Sequence, residues 1–274
     1  LFPYTTLFRS GSDMTLSITH QMHLQNRRII TFVGAGGKTT LMYALGKEMA
    51  QTKKTLVTTT THIMEPRNLT GASLVTKDSR EQILSAFGTS SLVALGRPVP
   101  AAAPAKWSSF SRAFLDSIRD IPERILCEGD GSRRLPVKIP RAGEPVLFPG
   151  TDTVIGVIGL SCLGHPAKNC LFGWNSDTEL TSGDTSFLSG ITIPSLQEIL
   201  QQNGGLLTPE ALASIALSRH GLRKYVTTQE YHVVFNQADC LSKDQLEDIR
   251  AAAQKIRDNG AYCHIVSLKK RMFY

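Results

Sequence analysis

The chain has no apolar run near the ~18 residues of a membrane-spanning helix; its longest, such as Val154–Leu160, fall far short. It has no CxxC pair, and its cysteines, Cys127, Cys162, Cys170, Cys240 and Cys263, are odd in number. That argues against a disulfide framework and predicts free thiols in a reducing cytoplasm. Cys162, His165 and Cys170 lie close together, but at a spacing that matches no common zinc pattern. Cys127 and Cys162 sit in or beside apolar runs, where cysteine acts as a small hydrophobe. The basic residues never form a run of five or six, so a nucleic-acid arm is not expected. The net charge of +7 suits nucleotides or phosphorylated cofactors, or else a plain solvated basic surface. No internal repeat, low-complexity tract or interdomain linker is visible.

Leu1–Asp13 lacks the layout of a signal peptide, because Arg9 follows the apolar residues instead of preceding them. It is expected to be a disordered, non-native leader joined to a natural start near Met14, the alternative being a genuine ordered N-terminal arm. Residues 14–274 are then expected to form one domain, with a small helical insertion at 170–205.

Apolar, β-branched runs alternate with helical patterns. The expected strands are Ile29–Val33, Thr55–Thr60, Leu92–Leu95, Arg124–Glu128, Thr153–Leu160, His232–Asn236 and Tyr262–Val266. Several show no polar alternation, as strands covered on both faces do. Helices are expected after Lys38, Ser79, Ser111, Thr178, Thr208 and Ser242. Ser242 and Gln245 form a capping box pattern, and Thr208–Pro209 is a good helix start. Arg97–Ser109, with three prolines and three successive alanines, reads as an exposed connection or lid. The βαβα rhythm predicts an α/β fold, P-loop NTPase-like, with a mostly parallel sheet and helices on both faces.

The functional signal begins at Gly34, Ala35, Gly36, Gly37, Lys38, Thr39 and Thr40. A buried-strand pattern precedes this stretch, and Leu41, Leu45 and Met49 follow at four-residue spacing. Strand, glycine loop and helix together make a phosphate-binding loop credible. Glycines let successive backbone N–H groups turn toward phosphate oxygens, and the helix N-terminus adds its positive end. Lys38 is expected on the β- and γ-phosphates and Thr39 on Mg²⁺, with Thr40 supporting the loop. Phe32 stands where a standard Walker A loop has its first glycine. The loop is therefore short, and it resembles the GxxGKTT loop of Mur-type amide ligases.

Two further strand ends point at the same crevice. Thr60, with Thr61 and His62, ends one strand; Thr60 is a candidate for Mg²⁺, against plain β-propensity. Glu128 and Asp130 end another. Carboxylates there would hold Mg²⁺ or its waters, with Asp130 the first choice. Arg133, Arg134, Lys138 and Arg141 follow, suited to phosphate or a second anionic substrate, or forming a solvated loop. Asn236 and Asp239 in VVFNQAD resemble the NKxD guanine reader of GTPases, with Gln237 in place of lysine.

GAGGKTT, TTTTHI, EGDGSRRLPVKIPRAGEPV and VIGVIGLSCLGHP together resemble the YqeC-like family, from about Arg28 to Val266. The resemblance implies a cytoplasmic P-loop protein that helps mature a selenium-dependent molybdenum hydroxylase. The combined expectation is Mg²⁺-dependent binding and hydrolysis of GTP or ATP, with Lys38, Asp130 and Glu128 carrying the chemistry. The rivals are an ATP-dependent ligase or kinase acting on a small acid, and a nucleotide-binding chaperone without turnover. Phosphate release without a co-substrate favours the first reading, turnover only with one the second, and tight binding alone the third.

Overall fold

The computed structural model describes residues 6–7, 17–67, 69–174, 184–185, 192–193 and 195–274. Eight parallel strands form its centre: β1 Ile29–Gly34, β2 Thr55–Thr59, β3 Ser73–Val75, β4 Leu92–Leu95, β5 Arg124–Glu128, β6 Thr153–Gly159, β7 Glu230–Asn236 and β8 Tyr262–Ser267. Their order across the sheet is β8-β7-β6-β1-β5-β2-β4-β3. Met272–Phe273 and then Thr6–Leu7 extend the β8 edge antiparallel. Thr6–Leu7 thus joins the sheet, although it lies in the expected leader; the rest of that leader is outside the described residues.

The helices used below are α1 Lys38–Met49, α2 Arg80–Phe87, α3 Arg112–Ser117, α4 Leu196–Gln202, α5 Pro209–Leu217 and α6 Lys243–Asp258. Successive side chains of one strand point to opposite faces, and here both faces are covered. On β7, Val233 and Phe235 pack with α5 and α6, while Val234 packs with Leu41, Met42 and Leu45 of α1. On β4, Val93 and Leu95 meet Ile83 and Phe87 of α2, while Leu92 and Ala94 face the α1 side. That two-sided burial is why the strands read as continuous apolar runs. The fold is α/β and P-loop NTPase-like, with a glycine loop between central strand β1 and α1. No helix among the described residues is long and apolar enough to cross a membrane.

The capping signals are realised. Ser242 Oγ accepts from the Gln245 backbone N–H, and Gln245 Oε1 accepts from that of Ser242. Thr208 caps α5. The expected insertion at 170–205 contains α4, which a second capping box, Ser195 with Glu198, begins. Thr178, the expected helix start, lies outside the described residues.

Arg97–Ser109, expected as an exposed connection or lid, carries short strands. Arg97–Pro98 and Lys106–Ser108 pair antiparallel, and Lys106–Ser108 also pairs with His62–Met64. Trp107 anchors this small sheet and is 3% exposed. A Cβ on Gly96 would sit 2.4 Å from its ring, so the chain closes on the indole only with glycine there.

Far from the glycine loop, the β7–β8 pair holds a histidine cluster. His232 Nδ1 lies 3.1 Å from His264 Nε2, and His232 Nε2 lies 2.8 Å from Glu230 Oε1. Burial, with the charges of Arg27 and His23, pushes His232 down to about 3; burial and the neighbouring His232 do the same to His264. Glu230 pairs with both Arg27 and His232, and burial still prevails. The folded values lie below the unfolded value of ~6.5, so the unfolded chain takes up these protons first. Stability is therefore full above about pH 6.5 and falls as pH drops. At pH 5 the loss should be on the order of 2 kcal/mol for each of the two imidazoles. Urea midpoints between pH 7 and 5 measure it; His232→Asn should flatten that limb, and an unchanged limb would mean that the ring titrates normally.

Candidate functional site: a phosphate-loop cleft

The loop follows β1 because the backbone must reverse between two close neighbours. Gly34, Gly36 and Gly37 have φ of +92°, +76° and +118°, in the region that favours glycine. The Ala35 N–H donates to Val157 O at 2.9 Å and fixes the loop on β6. Asn236 Nδ2 donates to Gly36 O at 2.8 Å, and its Oδ1 accepts from the Leu268 N–H at 3.1 Å.

The start of α1 is electrostatically open. Its N-cap is Gly37, with no side-chain cap and no acidic residue in the first turn. Each of the other five labelled helices has a serine or threonine cap. The first N–H groups of α1 have no partner within the helix, so Lys38, Thr39 and Thr40 offer donors at its positive end.

Lys38 is 3% exposed, and its Nζ lies 2.5 Å from Gly34 O, 3.2 Å from Asp130 Oδ1 and 3.6 Å from Glu128 Oε1. Burial alone would lower its pKa, but the two carboxylates outweigh that and raise it. Burial pushes the Glu128 carboxyl up, against the pull of Lys38 and the Thr39 hydroxyl, which donates to Glu128 Oε2 at 2.6 Å. Asp130 is fully buried and accepts the Gly34 N–H at 3.1 Å to each oxygen. Lys138, also fully buried, lies 3.6 Å from Asp130 Oδ2 and 2.7 Å from Glu144 Oε2. Lys38 and Lys138 thus face three carboxylates: Asp130, Glu128 and Glu144.

A cleft of about 920 Å³ opens in front of this network. Gly36, Gly37, Lys38, Thr39, Thr40 and Glu128 line its inner wall, and Arg133 and Arg134 line the outer part. Gly34 and Ala35 anchor the loop behind that wall, and Asp130 lies beneath it. Thr60 is not part of the wall: its hydroxyl donates to Val146 O at 2.5 Å, and its backbone N–H to Glu128 O. Asn236 serves the loop backbone, and Asp239 accepts from Ser267 Oγ at 2.6 Å; neither lines the cleft. Gln237, the residue in the lysine position of the resembled motif, does line it. Sequence reading missed Glu144, Phe172 and Lys106. Glu144 lies within the EPV block, and its spacing from Lys138 was the available signal; Phe172 and Lys106 arrive only through folding.

The donor set fits Mg²⁺. A hydroxyl and a carboxylate stand side by side at the edge of a phosphate cradle, and Mg²⁺ typically takes one or two carboxylates with substrate phosphates and water. Among the described residues, no three His, Cys, Asp or Glu side chains group to hold a metal by themselves. Any ion here would therefore share its coordination with the ligand.

A family model described as YqeC protein matches residues 30–174. A protein of Escherichia coli (strain K12) with the name "Uncharacterized protein YqeC" is 33% identical over 139 residues, which are 50% of this chain and 53% of that protein. The chain thus spans about half the length of the curated relative it matches. Among solved structures, HypB from Helicobacter pylori in complex with nickel aligns over 92% of this chain and 84% of that chain, at 12% identity and a TM-score of 0.34.

Proposed function

The chain belongs to the YqeC family, and from that premise we propose that it binds GTP or ATP with Mg²⁺ and hydrolyses the triphosphate. The observation that carries this reading is the uncapped N-terminus of α1, with Lys38 and the Thr39–Glu128 pair facing one cleft. Backbone N–H groups of the loop would take the β-phosphate oxygens, and Lys38 would turn from Gly34 O toward the γ-phosphate. Thr39 and Glu128 would hold Mg²⁺, which neutralises charge on the triphosphate when bound. Asp130 would act from beneath, fixing Gly34 and Lys38. In the family-level role, hydrolysis supports maturation of a selenium-dependent molybdenum hydroxylase. Loss of hydroxylase activity on deleting the gene, restored by the intact gene alone, tests that role.

Calorimetry tests the site. Both triphosphates should bind more tightly with Mg²⁺ than without, and Glu128→Gln should lose most of that difference while still binding the nucleotide. Gln keeps an oxygen for the Thr39 hydroxyl but removes the charge that the cation needs. Equal Mg²⁺ enhancement in the variant would remove Glu128 from the metal site. Competition between ATP and GTP addresses the base. Asn236 is spent on the loop, so any preference for guanine would rest on Asp239; equal displacement would rule it out as a reader.

A further inference from the structure

The cleft is near the upper end of the ~300–1,000 Å³ usual for small-molecule sites. Its outer half carries positive charge that the phosphate loop does not use. Arg133 and Arg134 come from the turn after β5, Arg141 from beyond the buried Lys138, and Lys106 from the small antiparallel sheet. Phe172 organises two of them: the Arg141 guanidinium lies 4.3 Å from its ring centre and that of Arg133 5.4 Å. Among the described residues, none of these four side chains forms a salt bridge; the nearest acid, Glu144, accepts the Arg141 backbone N–H and feels its charge, but its carboxylate is paired with Lys138. Arg133 and Arg134 also hold φ of +49° and +63°, a conformation that costs non-glycine residues roughly 1–2 kcal/mol each. Like charges gathered around one ring repel unless an anion lies between them.

We propose that this outer half is a second subsite, which takes a small acid bearing carboxylate or phosphate groups beside the loop-bound triphosphate. The proposal rests on the nucleotide-binding reading and adds a second bound anion beside the loop-bound triphosphate. Arginine forks bind carboxylate and phosphate through paired N–H donors, and Lys106, on the small antiparallel sheet, adds a further cation to the lining. Inner and outer halves divide the labour: the backbone and Lys38 for the triphosphate, side-chain cations for the second anion.

The test is calorimetry of the full chain saturated with Mg²⁺ and a non-hydrolysable triphosphate, titrated with succinate and, separately, inorganic phosphate. Binding of either probe to the loaded protein is expected, with the stronger one identifying carboxylate or phosphate as the preferred group. The double variant Lys106→Gln, Arg141→Gln should bind the probe at least tenfold more weakly and the triphosphate within about threefold of wild type. The proposal is overturned if neither probe binds the loaded protein, if binding survives the double substitution, or if the substitution weakens triphosphate equally. Lys38→Ala separates this proposal from the nucleotide reading. Probe binding there that depends on Lys106 and Arg141 supports the outer subsite even if the wild type takes no triphosphate, and its absence overturns the subsite.

Discussion

Asp130→Asn should destabilise the fold by about 3–5 kcal/mol, the usual cost of removing one partner from a buried ion pair. The carboxylate is fully buried, accepts the Gly34 N–H, and lies 3.2 Å from Lys38 and 3.6 Å from Lys138. Asn keeps one oxygen for Gly34, but its amide would point donors at an ammonium group. Lys38 would retain Glu128 and Lys138 would retain Glu144, so the loss should fall short of two orphaned charges. A shift of that size is a large part of the ~5–15 kcal/mol that holds a typical domain. Urea unfolding measures it directly. A metal ligand at this position would behave differently: stability near wild type, with only the Mg²⁺ dependence lost. That outcome would return Asp130 to the first-choice metal role that its sequence position suggests, and would overturn the assignment of that role to Glu128.

The contrast between Asp130 and Glu128 shows where sequence reading stops. The order strand, glycine loop, helix is written locally, so β1, the loop and α1 are legible from Ile29 to Met49. The same holds for helices that begin on Ser242 and Thr208, whose caps lie within three residues. Both carboxylates lie at the end of β5, and sequence places both near the loop. Which one faces the cleft depends on the turn after Glu128, where Gly129 pairs with Phe32 and Val146. Thr60 is a similar case: it ends a strand beside the crevice, yet the Val146 carbonyl takes its hydroxyl. The small sheet of His62–Met64, Arg97–Pro98 and Lys106–Ser108 escaped because its strands are two or three residues long and one carries a proline. Such strands exist through pairing and the burial of Trp107, not through any periodic pattern.

Gly36→Ala should be among the most damaging single methyl additions in the described residues. Its φ of +76° already disfavours a side chain, at a cost of roughly 1–2 kcal/mol. The added carbon would stand 2.2 Å from the Gly159 nitrogen, 2.4 Å from the Gly159 Cα and 2.7 Å from Pro136 O. All three are backbone atoms, and Gly159 ends β6, one of the strands that flank β1, so no side chain can swing aside. The loop itself must move, carrying with it the Gly36 carbonyl that Asn236 holds and the N–H groups at the start of α1. Each hydrogen bond to a charged ligand contributes ~1.5–3 kcal/mol. Displacing two should weaken Mg²⁺–triphosphate binding by at least about 100-fold, since ~1.4 kcal/mol is tenfold. Gly131→Ala is the control for stability: nothing lies within 4 Å of its added carbon, so its melting temperature should stay close to wild type. Calorimetry and thermal melts on both variants decide the matter. Wild-type affinity and stability in Gly36→Ala would mean that the loop does not lie against Gly159, and the cradle would lose its geometric basis.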